Sequence, residues 1–248
     1  LNGASAAAMK SADNFYQGDA SKWRKFANSL MLRVAMGMSK VDPAAAEQWV
    51  KTAVANGVFE SDADNCMLMH AGGLTTNDFS EPYAKIYSHE DRGNFFLTEY
   101  FVDLLKSTND PRLSLIGTVC EEPTISVQAG SDFQYGNSDP AVQKGLPSGF
   151  SDSPDSPWFV GNKYPEFKDE DSRSTYRSRY STINRYTYSD PTGPTFVCTY
   201  AQTQLLLAEA AVRGWVDGSA QTYYENGVRA ACGSSHSSPT ARRCIISI

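Results

Sequence analysis

The run KWRKFANSLMLRVAMGMS, Lys22–Ser39, constrains this chain more than any other stretch. Trp23, Phe26, Ala27, Leu30, Val34 and Met38 recur at helical spacing and share one face. Lys22, Lys25, Ser29 and Arg33 lie largely on the other side. The pattern predicts a helix that buries its tryptophan face and ends near Lys40. Asp42-Pro43 then supplies a capping carboxylate and a proline at the first helical position, where no N–H is needed. The second helix carries Ala46, Trp49, Val50, Ala53 and Val54 and stops at Asn56-Gly57. The tight turn between them implies an antiparallel hairpin of roughly 35 residues, the size of a tetratricopeptide-like unit, whose period is about 34.

Helical spacing returns twice more. Leu97, Phe101, Leu104 and Leu105 predict a third helix over Arg92–Lys106, stopped by Ser107-Thr108-Asn109-Asp110-Pro111. Ala201, Leu205, Ala208 and Val212 share a face in Thr199–Trp215, and Glu209 precedes Arg213 in the favourable i, i+4 order. A last helix over Ser219–Cys232 places Tyr224, Gly227, Val228 and Ala231 together, making a second hairpin. Between the hairpins the chain changes character. Residues 118–196 hold eight of the 12 prolines and 12 aromatic residues, and helical periodicity disappears. A loop region this long inside a folded chain points to function, and it is too aromatic for simple disorder. Short strands are expected at Thr124–Val127 and Tyr186–Tyr188. The implied organisation is mainly α: a helical scaffold over 1–117, an aromatic ligand-binding insertion over 118–196, scaffold again over 197–232 in the same domain, and a disordered or non-native tail over 233–248.

Charge and motifs exclude several classes. A net charge of -6 is wrong for binding nucleic acid through phosphates. The three histidines form no HExxH, no GxSxG is present, and Gly72-Gly73 belongs to neither a P-loop nor a dinucleotide fingerprint. The five cysteines are isolated and odd in number, with no CxxC, so buried thiols are expected rather than a zinc site or a disulfide framework. The sequence opens at Leu1 without a basic or apolar leader, as an internal fragment of a longer protein would.

Several segments, in order, resemble the SusD/RagB family of outer-membrane nutrient-binding lipoproteins. They are SADNFYQGD at 11–19, the Lys22–Ser39 helix, TNDPRL at 108–113, GLPSG at 145–149, RYSTIN at 179–184, TYAQTQLLLAEAAVRGW at 199–215 and YYENGVRA at 223–230. Gln202 stands where the family usually has glutamate. The resemblance covers residues 5–231, and the tail beyond Cys232 does not share it. It implies tetratricopeptide-like hairpins, a glycan or sometimes a peptide ligand, no enzymatic activity, attachment at the outer-membrane surface, and a SusC-like TonB-dependent transporter as partner.

Candidate ligand-binding residues are Trp158, Tyr164, Tyr176, Tyr180 and Tyr186, whose flat rings suit the C–H faces of sugars, with Asn162 and Arg177 to bond hydroxyls. Phe159, Tyr188, Arg179 and Asn184 accompany them. Each ring could instead pack beneath the loops, and Trp158 is the preferred stacking residue. Trp23, Trp49 and Trp215 are assigned to helix packing. No cofactor is implied. Asp169-Glu170-Asp171 is the only calcium candidate, although its spacing matches no calcium loop. The competing function is a helical-repeat protein that binds peptide or protein and has no sugar site.

Overall fold

Polar side chains, not only apolar ones, close the first hairpin. A computed structural model describes residues 10–72, 79–82, 95–120, 136–149, 180–184, 187 and 190–234. Helix α1 spans Ala20–Gly37 and α2 spans Pro43–Asn56. The Asp19 carboxylate accepts the Ser21 and Lys22 N–H groups, and Asp42 accepts that of Ala45. Gly57 ends α2 at φ 91°, a conformation that costs glycine little.

The buried face of α1 consists of Asn28, Ser29, Leu32, Ala35 and Met36. This corrects the face expected from periodicity, because Trp23, Val34 and Trp49 are exposed. The reason is local. Asn28 Nδ2 donates to the Asn56 and Gly57 carbonyls at 3.0 and 2.8 Å, satisfying acceptors at the end of α2. Ser29 Oγ accepts the Phe59 N–H at 2.9 Å. Two residues that look solvent-facing therefore sit inside, and the more apolar edge turns outward. There Leu30, Met31, Val34, Met38 and Trp49 line an open groove of about 340 Å³.

After a short 3₁₀ turn at Asp62–Asp64 comes strand β1, Cys66–Leu68. The second hairpin consists of α5, Tyr200–Val212, and α6, Ala220–Ser234. Leu32, Met36, Ala46, Val50, Leu207, Ala210 and Trp215 share one core, so residues of α5 and its C-terminal turn complete the packing of α1 and α2. Trp215 packs as expected, with the Arg213 guanidinium 5.2 Å from its ring centre. Because α5 is packed on more than one side, its buried set includes Thr203, Gln204 and Ala210, while Leu205 and Val212 are exposed. At Gly227 an added Cβ would stand 2.8 Å from Leu205, so α6 can approach α5 closely only without a side chain there.

The chain divides into two compact units, one built from residues 1–70 and 194–237 and the other containing 71–193. The loop-bearing unit therefore begins well before residue 118. It takes in helix α3, Glu99–Ser107, and the short α4, Leu113–Ile116. The reason is packing: Leu97, Val102, Leu105 and Leu113 form their own cluster with Phe101, Ile116 and Ile183. Helix α3 also starts later than expected, at its Thr98 cap, and Leu104 faces outward.

Five short strands carry the β structure among the described residues. β2 (Gly117–Cys120) lies between β3 (Gly136–Asn137) and β4 (Thr182–Ile183), and β1 pairs antiparallel with β5 (Thr195–Cys198). The strands expected at 124–127 and 186–188 lie outside the described residues, apart from Thr187. In the β1–β5 pair, Met67 faces Phe196 and Cys66 faces Cys198, which leaves Val197 bulged. Arg33 Nη1 donates to the Val197 carbonyl at 3.2 Å, supplying the bulge with a partner from α1.

Candidate ligand-binding site

The loop-bearing unit is held together by a buried polar frame. Gln143 is 1% exposed and Ser181 is 0%. Gln143 Nε2 donates to the carbonyls of Asn137 and Asp139 at 2.8 and 3.0 Å. Ser181 Oγ donates to Gln143 Oε1 at 2.8 Å and accepts the Lys144 N–H at 2.9 Å. Backbone bonds extend the frame: Ser181 N–H to Lys144 O at 2.7 Å, Leu97 N–H to Ser181 O and Leu146 N–H to Leu97 O at 2.8 Å each, and Glu99 N–H to Leu146 O at 2.9 Å. GLPSG and RYSTIN, far apart in sequence, therefore meet on the segment that starts α3. Gly145 has no alternative there, since a Cβ would collide with the Thr98 carbonyl and the Glu99 backbone.

This frame holds the described residues that border two segments, 121–135 and 150–179. Cys120 pairs with Gly136, so residues 121–135 leave and return at neighbouring strands. Residues 150–179 leave after the segment anchored at 143–146 and return at Tyr180, directly before Ser181. Asn184 closes the far side: its N–H donates to the Ile116 carbonyl at 2.7 Å, and its Nδ2 contacts Ser138 Oγ at 3.3 Å.

Of the residues nominated for ligand contact, Trp158, Asn162, Tyr164, Tyr176, Arg177 and Tyr186 lie outside the described residues, as do Phe159, Arg179, Tyr188 and the acidic run 169–171. Tyr180 is described, and it is 1% exposed. Its ring lies 5.3 Å from Lys144 Nζ. The ring packs within the frame. Asn184 is likewise buried and engaged in the frame. Gln143 and Ser181 were not nominated as site residues. An isolated glutamine between two loops carries no sequence signal, although Ser181 does lie inside RYSTIN.

Beside the frame, Leu105, Asn109, Pro111, Leu113 and Pro140 line an open concavity of about 340 Å³. Its charges are engaged within the protein. Lys106 Nζ donates to the Ala141 carbonyl at 3.2 Å. The Arg112 guanidinium forks onto Asp110 at 2.6–3.1 Å and holds that carboxyl below its usual range, with burial opposing. Asp-Pro-Arg in TNDPRL is thus a self-contained turn clamp. Among the described residues no group of three or more His, Cys, Asp or Glu could hold a metal, and no helix is long and apolar enough to cross a membrane. His70 Nε2 bonds Thr195 Oγ1 at 2.9 Å across the β1–β5 end.

The two helical hairpins, joined in sequence by an inserted unit, define a mainly helical, tetratricopeptide-like class. A family model for SusD-like proteins, described as starch-binding and associating with the outer membrane, matches residues 2–238, and the chain belongs to that family. A solved chitin-binding protein is 32% identical, with a TM-score of 0.65, over 90% of this chain and 42% of its own. A SusD homologue from Bacteroides fragilis is 26% identical, with a TM-score of 0.62, over 92% of this chain and 44% of its own. A Bacteroidetes SusD-like structure shares the fold at 24% identity and a TM-score of 0.69, over 91% of this chain and 49% of its own. The chain spans less than half the length of these structures. Comparison with curated proteins finds no match.

Proposed function

We propose that the chain is the loop-bearing part of a cell-surface protein that captures an oligosaccharide for import through a TonB-dependent outer-membrane transporter, without chemically altering it. Family membership supports the surface location and the glycan class. One observation carries the assignment of binding to the inserted unit: a buried frame around Gln143 and Ser181 anchors both ends of the aromatic-rich segments. Rigid anchoring lowers the ordering cost of binding, so loops mounted in this way can present rings and amides in a fixed pattern. Trp158 stacks on a sugar ring in this reading, with Tyr164, Tyr176 and Tyr186 as further platforms and Asn162 and Arg177 bonding hydroxyls. The chitin-binding relative makes N-acetylated oligosaccharides the first ligands to test.

Affinity electrophoresis against a polysaccharide panel, followed by calorimetry with oligosaccharides, tests this. The expected result is binding to at least one glycan, weakened about 10-fold or more in Trp158→Ala, as loss of an aromatic contact implies. Binding of peptides and of no glycan would replace this reading with the helical-repeat alternative, and turnover of a glycan would replace it with an enzyme. Co-isolation with an outer-membrane barrel from the native organism is the expected partner result.

A further inference from the structure

Cys66 and Cys198 stand opposite each other where the inserted unit leaves the helical unit and rejoins it. Cys66 opens β1, Cys198 closes β5, and the register makes them direct partners. Directly opposed residues on antiparallel strands lie about 4.5–5.5 Å apart at Cα, within the roughly 4.4–6.8 Å that a disulfide spans. The two side chains belong to one cluster with Tyr16 and Phe59 and are 1% and 3% exposed. Both are thiols in this structure.

We infer that Cys66 and Cys198 form a disulfide that staples the β1–β5 ladder and closes the loop holding residues 67–197. The ladder is otherwise held by seven residues on two short strands and a bulge, a small amount of pairing for so large an excursion. The inference is independent of which ligand the loops bind.

The oxidant is an external disulfide such as glutathione disulfide. One cysteine thiolate attacks a glutathione sulfur, the glutathione S–S bond breaks, and one glutathione thiolate leaves. The second cysteine thiolate then attacks the protein-bound sulfur and expels the other glutathione. Two protein thiols are oxidised to one disulfide, one glutathione disulfide is reduced to two thiols, and the protons released by the cysteines pass to the departing glutathiones. Burial pushes both cysteine thiols up from their ordinary value, so in the folded ladder they are poorly ionised and shielded. The bond therefore forms while the chain folds, before the cluster closes over it. Compartments outside the reducing cytosol support such chemistry.

The test refolds the full chain from denaturant in a buffer of reduced and oxidised glutathione. Remaining thiols are alkylated in denaturant, and peptides are mapped without reduction. The expected product links the Cys66 and Cys198 peptides and leaves Cys120, Cys232 and Cys244 alkylated. Reductant should lower the melting temperature of this product by roughly 10 °C, given the long loop. The double variant Cys66→Ala/Cys198→Ala should show no reductant-dependent shift. Comparing each protein with and without reductant cancels whatever the substitutions themselves do to the core. Recovery of both cysteines alkylated from folded protein overturns the inference, as does linkage to a different cysteine or a reductant shift retained in the double variant. If refolding gives aggregate, the same peptide map on protein exported to a bacterial periplasm decides by the same outcomes.

Discussion

Replacing Gln143 with leucine should loosen the loop frame while leaving the hairpin unit intact. The substitution keeps the approximate volume but removes three hydrogen bonds, two to carbonyls and one from Ser181 Oγ. Each such bond contributes about 1 kcal/mol net, and a buried polar group left without a partner costs about 1–3 kcal/mol. Solvent can reach some of the orphaned carbonyls, so the full sum is not expected. A loss of about 2–4 kcal/mol in the opening free energy of the inserted unit follows. That corresponds to an increase of roughly 30- to 1,000-fold in local opening.

Hydrogen exchange read by mass spectrometry is the appropriate assay, because it separates the two units where a single melting temperature does not. Peptides containing the Leu97, Lys144 and Ser181 amides should lose protection, while peptides from α1, α2 and α5 should not. If the proposed glycan binding resides in this unit, affinity should fall in parallel, although Gln143 need not touch the ligand. Unchanged protection at Leu97 and Ser181 in Gln143→Leu would refute the frame argument.

Other expectations follow from single positions. Gly145→Ala drives a Cβ into the Thr98 and Glu99 backbone, so it should destabilise the same unit by about 1–3 kcal/mol in urea titrations followed by hydrogen exchange. Gly37→Ala meets nothing within 4 Å at the end of α1 and should instead stabilise the helical unit by up to about 1 kcal/mol, a melting shift readable by calorimetry. Asp13 has its carboxyl lowered to about 2: burial opposes the shift, but hydrogen bonds from the Gly18 N–H, the Trp23 indole and the Phe15 and Tyr16 N–H groups outweigh it. Because the folded value lies below the unfolded value near 3.8, its contribution is present above about pH 4 and is lost as pH falls to about 2. Asp13→Asn should flatten the melting temperature against pH across that window, with Trp23 fluorescence reporting the change.

The ends of the first hairpin were legible because capping is local chemistry. Asp42-Pro43 and Asn56-Gly57 act where their side chains and backbone conformations require. The inward face of α1 was not legible. Periodicity counts apolar side chains, while Asn28 and Ser29 go inside because α2 ends beside them with backbone groups to satisfy. Helix α5 misled in a similar way, since a helix packed on several sides has no single apolar stripe. Strands of two to four residues are too short to show alternation, so the β1–β5 ladder and the β3-β2-β4 sheet left no pattern. At the site, residue type marks the aromatic-rich segments as the expected material for binding but does not sort ring from ring. Tyr180 resembles Tyr176 in sequence, yet it packs in the frame beneath Lys144. Two of the partners that fix Gln143 lie four and six residues before it, and the third, Ser181, is 38 residues away, a pairing that comes only with the fold.

The ladder between β1 and β5 also bears on how such a chain can change over generations. Its two strands deliver the ends of the intervening segment to adjacent positions, whatever that segment contains. Closing a longer loop costs little, about 0.6 kcal/mol for each doubling of its length. Insertions, deletions and wholesale exchange between Ala71 and Gly193 can therefore accumulate while α1, α2, α5 and α6 keep their shared core. The hairpins behave as a chassis with a socket, and selection can act on the module plugged into it without renegotiating the fold.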